Sequence, residues 1–314
     1  MSFSTDIRLE IIRSDREKQC CVVAELTALL LNAGSVAYRG PNQYAVSIAS
    51  EHAAVIRYAY EQIKLWLELS PLLRTVRNAQ LGARLRYQLA LEGGAALEFL
   101  DKLQLLDEKA PFGLKLAPSG ALIRRDCCRR AYLRGAFLAC GWVNRPDGKY
   151  HMEFAAPDEA QADALLRILR RCDVPAKAVS RKNREVVYVK EGERIALLLK
   201  LMGAHRAVFA LEDARVLKEM RNTINRQVNC DARNLDMAID AAQAQIGDIE
   251  YIRDRMGLDA LPSALREIAV ARMEHAEASL TELGALMSPP LGKSGVNNRL
   301  RRLSALARRL RSEA

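Results

Sequence analysis

The chain has 314 residues, of which 50% are hydrophobic and 27% charged, with a formal net charge of +10. This length accommodates two or three domains, and the composition is typical of a globular protein with a buried core. The sequence has no run of eighteen apolar residues, and its amino terminus lacks the apolar stretch of a signal peptide. We therefore expect neither a membrane span nor export, and we predict a cytoplasmic protein whose basic character favours a polyanionic partner.

An internal repeat is the most informative feature of the sequence. Residues 20–36, CCVVAELTALLLNAGSV, recur 107 positions later as CCRRAYLRGAFLACGWV at 127–143. Seven of the seventeen positions are identical, and each copy has a glycine two residues before its end. Two copies with a long period indicate a duplicated lobe and not a solenoid.

The segments that follow each copy have the same predicted order. In the first lobe, two β-rich runs flank a turn signal at 41–43, a helix is predicted over about 52–68, and a second pair of strands precedes a last helix after 93–94. The second lobe has a Pro-Asp-Gly turn, a helix, a second hairpin and a closing helix. We predict two copies of an α-ββ-α-ββ-α unit, the first lobe at 1–110 and the second at 111–204.

Residues 205–258 are predicted to form a helical linker. Apolar residues with near-heptad spacing run along it: Leu235, Ile239, Ala242, Ile246, Ile249 and Met256. Asp231 is the expected amino-terminal cap of this helix, and Gly257 is expected to follow its end. A structural linker is the simpler interpretation of the stripe, and a surface that binds another protein is the alternative.

The last segment, 259–314, is predicted to be a compact helical module that resembles a helix-turn-helix. Pro262 suits the first turn of one helix, Ser279 can cap a second, and Ser294 can cap a third. The connection between the last two helices is longer than the three- to four-residue turn of phage repressors. Residues 290–314 hold seven basic residues against one acid, so this tail carries about +6 of the net charge.

In a helix-turn-helix, the amino-terminal part of the recognition helix contacts base edges in the major groove. Because asparagine pairs well with adenine and arginine with guanine, we predict base contacts from Ser294, Asn297, Asn298 and Arg301. The basic residues predicted to hold phosphates are Lys293, Arg299, Arg302, Arg308 and Arg309. A small helical bundle with a solvated basic face is the alternative.

The cysteines do not suggest a metal site or a disulfide framework. Seven of them lie at positions 20, 21, 127, 128, 140, 172 and 230, none in a C-x-x-C pair, and the chain has four histidines. A zinc site needs clustered ligands, and a disulfide framework is typical of a small secreted chain. We therefore predict reduced, mostly buried thiols, no metal and no cofactor.

Each repeated helix, with its closing glycine, resembles the LAGLIDADG motif of homing endonucleases. Small residues at 24 and 28 in one copy, and at 131, 135 and 139 in the other, share one helical face, as close packing of two helices requires. The resemblance implies a metal-binding carboxylate just before each closing glycine, but these positions hold Ala33 and Cys140. A methyl group cannot ligate, and a thiol suits magnesium poorly, so we predict no catalytic residue and no metal-dependent nuclease activity.

The sheets of such a scaffold are a second candidate for DNA contact, because in LAGLIDADG nucleases the concave sheets lie along the major groove. Basic residues occur on the third and fourth predicted strands of both lobes. They are Arg74, Arg77, Arg84, Arg86, Lys177, Arg181, Lys182 and Arg184. The sequence is equally consistent with a DNA-binding surface and with a solvated basic face.

Four features together resemble the WhiA family over nearly the whole chain: the degenerate motif pair and the segments 211–230, 257–287 and 289–303. The resemblance implies an α+β fold with a pseudo-twofold duplicated LAGLIDADG-like domain, a helical linker and an all-α helix-turn-helix domain. It also implies a sequence-specific DNA-binding regulator without nuclease activity, associated with the nucleoid and involved in cell division, chromosome segregation and sporulation.

The expected partner is double-stranded DNA, with a second protein as a further candidate through the lobed domain or the linker helix. Two alternatives remain open. One is a residual metal-dependent nuclease or an RNA-splicing protein, and the other is an interaction hub that binds DNA only weakly.

Overall fold

A computed structural model describes residues 2–14, 18–78, 84–181 and 184–313, with the backbone alone at 77, 78 and 84. The chain divides into two compact units, Met1–Lys218 and Glu219–Ala314. The first unit contains two sheets and the helices packed on them, and the second is helical. No helix in the described part of the chain combines the length and apolar character needed to cross a membrane.

The first unit begins with a helix that the sequence analysis did not predict, α1 (Phe3–Arg13). Its side chains Ile7 and Ile11 are fully buried. The hydroxyl of Ser4 donates to the carbonyl oxygen of Val143 (3.0 Å) and accepts from the N–H of Val143 (2.9 Å). The first helix is therefore attached to a strand of the second lobe, by hydrogen bonds that no local sequence pattern reveals.

Two copies of the predicted α-ββ-α-ββ-α order follow. The elements of the first copy are α2 (Gln19–Ala33), β1 (Gly34–Gly40), β2 (Gln43–Ser50), α3 (Ala53–Leu67), β3 (Leu72–Asn78), β4 (Arg84–Glu92) and α4 (Gly94–Lys102). Those of the second copy are α5 (Asp126–Cys140), β5 (Gly141–Val143), β6 (Met152–Ala156), α6 (Glu159–Arg171), β7 (Lys177–Arg181), β8 (Arg184–Val189) and α7 (Gly192–Met202). The α+β fold and the duplication are confirmed.

The two sheets have the same topology, which follows from the same alternation of apolar residues. Both are antiparallel, with strand orders β1-β2-β4-β3 and β5-β6-β8-β7. In the first sheet Ile48 pairs with Leu89, and in the second Phe154 pairs with Val187, all four with buried side chains. Because side chains alternate across a strand, these pairs place one face of each sheet against the helices and leave the other exposed.

The repeated helices α2 and α5 pack against each other and run in the same direction. Near their amino termini, Sγ of Cys128 lies 3.6 Å from the carbonyl oxygen of Cys20. Near their carboxyl termini, Sγ of Cys140 lies 3.9 Å from Oδ1 of Asn32. Residues at equivalent positions of the two copies are therefore neighbours across a pseudo-twofold axis.

Small residues allow these two helices to approach closely, as predicted. Ala24, Ala28 and Ala131 are fully buried. A Cβ atom built on Gly135 would overlap the carbonyl oxygen of Glu25 and would lie 2.9 Å from the Cβ of Ala28. Only glycine fits at this position without displacing the helices.

The helix α8 (His205–Met256) covers almost all of the predicted linker, and the division between the two units falls within it. The prediction that Asp231 caps this helix is wrong, because the helix begins at His205 and continues through position 231. Of the predicted stripe, Leu235 and Ile239 are exposed, whereas Ile249 is fully buried. The two ends of α8 contribute to the cores: Ala207 and Leu211 are buried in the core of the first unit, and Ile249 and Ile252 in that of the second.

The second unit packs the end of α8 against three helices, α9 (Ser263–Glu274), α10 (Leu280–Ala285) and α11 (Lys293–Ser312). Ser279 caps α10 as predicted, in a reciprocal capping box with Glu282. The prediction that Ser294 caps α11 is wrong, because Gly292 occupies the cap position and Ser294 lies within the first turn.

Candidate nucleic-acid interface

One face of α11 is apolar and holds the helix in place. Val296, Leu300, Leu303 and Ala307 are buried at three- and four-residue spacing and pack with residues of α9 and α10. These residues therefore form the inward face of α11. Their spacing also determines which side chains of α11 face away from the core.

Most of the predicted DNA contacts lie away from that core. The exposed ones are Lys293, Ser294, Asn298, Arg301, Arg302, Arg308 and Arg309. Asn297 and Arg299 are half-buried. Because Ser294, Asn298 and Arg301 follow one another at four and three residues, they share one face at the amino-terminal half of the helix.

Three arginines of α11 have acidic partners within the second unit. Nη1 of Arg299 donates to the carbonyl oxygen of Ala264 (3.2 Å) and lies 3.4 Å from Oε2 of Glu267, both on α9. The other two pairs are Arg309 with Glu313 (2.8 Å) and Arg311 with Asp248 (2.8 Å). Arg299 therefore fixes α11 against α9, and Arg309 has an acid beside it.

The remaining basic side chains of α11 are not neutralised. Within the described residues, Lys293, Arg301 and Arg302 have neither an acidic nor a carbonyl partner. Nε of Arg308 donates to the carbonyl oxygen of Ser304 (3.2 Å) on its own helix. These four residues and the amino-terminal turn of α11 form a positive surface, which we call the α11 surface and which suits a polyanion.

The turn before α11 is held by a close backbone approach. The N–H of Leu291 donates to the carbonyl oxygen of Gly284 (2.9 Å). A Cβ atom on Gly284 would overlap the carbonyl oxygen of Leu291 and would lie 3.2 Å from Cγ2 of Val296. The position therefore requires a residue without a side chain, and the contact fixes where α11 begins.

Arg272 also shapes this module and was not among the predicted site residues. Its side chain is buried, and Nη1 donates to the carbonyl oxygens of Ala278 (2.7 Å) and Ala276 (3.3 Å) in the turn between α9 and α10. Burial lowers the pKa of this guanidinium. Its spacing from Leu265 and Ile268 places it on the apolar face of α9, which is the signal that could have revealed it.

Three of the described basic residues of the sheets have partners. Arg74 lies 4.0 Å from Glu92, and Arg181 lies 4.0 Å from Glu153. Arg184 donates to the carbonyl oxygen of Ala155 (3.3 Å). Lys177 is exposed and Arg86 is half-buried. Lys182 and the side chains of Arg77 and Arg84 lie outside the described residues.

The positions of the expected nuclease acids lie at the carboxyl ends of the paired helices. Ala33 is the last residue of α2, and Cys140 is the last residue of α5. Burial raises the pKa of the Cys140 thiol to about 12, so the thiol is protonated near neutral pH. The neighbouring Asn32 donates its amide to the carbonyl oxygen of Ala28 (2.9 Å). This pair of helix ends offers a methyl group and a neutral thiol, not the oxygen ligands that magnesium needs.

At the opposite ends of the same helices, the structure brings four cysteines together. The Sγ atoms of Cys20, Cys21, Cys127 and Cys128 all lie within 4.8 Å of one another. This cluster was not predicted, because none of the cysteines forms a C-x-x-C pair. The sequence feature that could have predicted it is that both Cys-Cys pairs occupy the same position of the repeat.

Comparisons with known proteins agree with this architecture, a duplicated LAGLIDADG-like domain followed by a helix-turn-helix. The model of the WhiA N-terminal LAGLIDADG-like domain matches residues 19–106, that of the WhiA LAGLIDADG-like domain matches 129–221, and that of the WhiA C-terminal HTH domain matches 224–307. The fold and the α11 surface thus define a LAGLIDADG-like scaffold joined to a helix-turn-helix domain.

Full-length relatives give the family. A Desulfitobacterium hafniense protein named "Probable cell division protein WhiA" is 41% identical over 314 residues, which are 100% of this chain and 98% of that protein. A Heliobacterium modesticaldum protein with the same name is 40% identical over 310 residues, 98% of this chain and 96% of that protein. The crystal structure of full-length WhiA from Thermotoga maritima is 21% identical, with a TM-score of 0.61 over 98% of this chain and 99% of that one. The chain belongs to the WhiA family.

Proposed function

We propose that this protein is a sequence-specific DNA-binding regulator that binds the major groove through α11. The observation that carries the proposal is the α11 surface, where Lys293, Arg301 and Arg302 are exposed without a neutralising partner within the described residues. Basic side chains that meet phosphates gain affinity by releasing condensed counterions, and the amino-terminal turn of a helix adds N–H donors.

The residues of α11 have distinct roles in this proposal. Ser294, Asn297, Asn298 and Arg301 contact base edges, because they lie in the amino-terminal half of the helix. The phosphate contacts are Lys293, Arg302, Arg308 and Arg309, the last by exchanging Glu313 for a phosphate. Arg299 is a positioning residue, since its guanidinium pairs with Glu267 on α9.

We assign the regions of the chain along the predicted boundaries. Residues 259–314 bind DNA, and residues 205–258 link this domain to the lobes. The lobes at 1–110 and 111–204 serve as a scaffold or as a platform for a partner protein. The names of the relatives support a role in cell division. We extend this to chromosome segregation and sporulation, and to a location at the nucleoid in the cytoplasm, as the resemblance to the family implies.

Replacing Arg301 or Asn298 by alanine is expected to weaken binding to a preferred site by about 1–3 kcal/mol and to relax its specificity. Replacing Arg302 should weaken binding at all DNA sequences equally. It should also lower the slope of log affinity against log salt concentration by about one. The site is found by genome-wide mapping of bound DNA and footprinting, and affinities are measured by fluorescence anisotropy at several salt concentrations.

Two matched controls locate the contact. Arg233→Ala removes an exposed arginine from α8 and should leave affinity unchanged, and Lys177→Ala removes an exposed basic residue from the second sheet. A loss with Lys177→Ala and none with Arg302→Ala would assign the DNA contact to the sheets. Unchanged binding in the Arg301 and Arg302 variants would refute the proposal.

We also propose that the protein is not a nuclease. Ala33 and the neutral thiol of Cys140 cannot hold magnesium at the helix ends where the homing endonucleases carry acids. Purified protein incubated with supercoiled plasmid and magnesium is expected to leave the plasmid intact, as in the sample with a chelator. A magnesium-dependent nicking activity that co-elutes with the protein in gel filtration would contradict this.

A further inference from the structure

The four clustered cysteines lie outside the proposed DNA interface and are not used by it. They form two Cys-Cys pairs, one in the first turn of α2 and the other in the first turn of α5. All four are free thiols, two buried and two half-buried. Because α2 and α5 are parallel and related by the repeat, the two pairs meet across the pseudo-twofold axis and form a cluster called here the thiol cluster.

The separations within the thiol cluster suit a single tetrahedral ion. Zinc binds four thiolates at about 2.3 Å, which places neighbouring sulfur atoms about 3.8 Å apart. In this structure Sγ of Cys127 and Sγ of Cys128 are 3.9 Å apart, and all four Sγ atoms lie within 4.8 Å of one another. Rotation of the side chains that moves the Sγ atoms by about 1 Å or less would complete the tetrahedron. An iron–sulfur cluster would place thiolates that bind different iron atoms farther apart.

The charges around the thiol cluster favour thiolates. A zinc ion with four thiolates carries a net charge of −2, and arginines lie on both sides of the cluster. Arg130 lines a cleft together with Cys21 and Cys127, and Arg124 and Arg125 line another with Cys20 and Cys128. The amino termini of α2 and α5 add the positive ends of two helix dipoles.

We propose that Cys20, Cys21, Cys127 and Cys128 form a mononuclear tetrahedral site for a thiophilic divalent cation, with zinc as the ion whose preferred ligands match. Thiolates favour such an ion over magnesium or calcium. Binding converts each of the four thiols to a thiolate and releases its proton to solvent, with no change of oxidation state. The ion joins the first turns of α2 and α5 and so ties the two lobes together.

Titration of the reduced, chelator-stripped full-length chain with Co²⁺ tests the site. One equivalent of Co²⁺ is expected to give the sulfur-to-cobalt charge-transfer absorption and the visible bands of tetrahedral thiolate coordination, and Zn²⁺ should abolish both. Protein purified without a chelator should contain about one zinc per chain by elemental analysis. The absence of charge-transfer absorption in the folded, reduced chain would overturn the proposal.

Cysteine-to-serine variants assign the ligands. Cys20→Ser and Cys128→Ser should each weaken Co²⁺ binding by more than about 100-fold, since even partners outside the first coordination shell contribute 10–100-fold. Cys172→Ser and Cys230→Ser should leave binding unchanged, because these cysteines lie outside the thiol cluster. Equal binding in all four variants would refute the assignment.

A thermal measurement separates ligand loss from misfolding. Zinc should raise the Tm of the wild-type chain, and the metal-free Cys20→Ser and Cys128→Ser variants should unfold within a few degrees of the metal-free wild type without responding to zinc. Disulfides among the four thiols of protein isolated under alkylating conditions would instead identify a redox site and contradict the proposal.

Discussion

Replacing Glu25 by alanine is expected to lower the free energy of unfolding of the first unit by about 3–5 kcal/mol, because it leaves a largely buried guanidinium without its carboxylate. Glu25 is 1% exposed on α2, and its Oε2 lies 3.1 Å from Nε of Arg134 on α5. Its Oε1 accepts a hydrogen bond from the hydroxyl of Tyr58 (2.9 Å). The pair therefore connects the two lobes at the centre of the first unit.

Tryptophan fluorescence during urea unfolding measures this change directly. The chain has two tryptophans, Trp66 and Trp142, and both lie in the first unit. Asp147→Ala, which removes one partner of the exposed Arg145–Asp147 pair, is the matched control and should cost less than about 1 kcal/mol.

A double variant distinguishes the buried charge from simple loss of packing. Glu25→Met combined with Arg134→Met removes both charges and keeps most of the volume, so it should be more stable than Glu25→Ala alone. If Glu25→Ala costs no more than Asp147→Ala, the pair does not hold the lobes together.

The order of elements could be predicted from the sequence because its signals are local. Strand pairs alternate with helices in both lobes. Because the repeat predicts the same order twice, the order predicted for one lobe checks that of the other. The helix α1 could not be predicted this way, because its attachment depends on Ser4 and Val143, which are 139 positions apart. The Asp231 prediction failed because a capping residue type inside a run without proline continues the helix.

At the candidate site, too, local patterns could be predicted from the sequence and contacts between distant residues could not. Helical periodicity was enough to separate the buried face of α11 from its exposed face. It could not show that Arg299 is paired, because Glu267 lies 32 positions away on another helix. The thiol cluster is intermediate between a local helical pattern and a long-range contact. Two parallel helices related by a repeat bring equivalent residues together, so the paired Cys-Cys positions could have been predicted from the pseudo-twofold symmetry alone.

Gly135→Ala is the variant expected to disturb the helix pair most directly. An alanine inside an exposed helix is usually more stable than glycine by about 0.5–1 kcal/mol, because the unfolded chain loses freedom. At this position the added Cβ would overlap the carbonyl oxygen of Glu25 and approach the Cβ of Ala28 to 2.9 Å. Both contacts are with parts of α2 that cannot rotate away. We therefore expect the free energy of unfolding to fall by about 1–3 kcal/mol, and by more for Gly135→Val.

The same substitution at Gly94 provides the control that makes the sign of this result informative. Gly94 begins α4, and a Cβ atom there would meet nothing within 4 Å. Gly94→Ala should therefore be neutral or stabilising by up to about 1 kcal/mol. Opposite signs for one added methyl group, measured by the fluorescence of the same two tryptophans, would show that the close approach of α2 and α5 limits Gly135. Equal and neutral results would mean that the helices can separate freely, and the central packing would then not hold the two lobes in register.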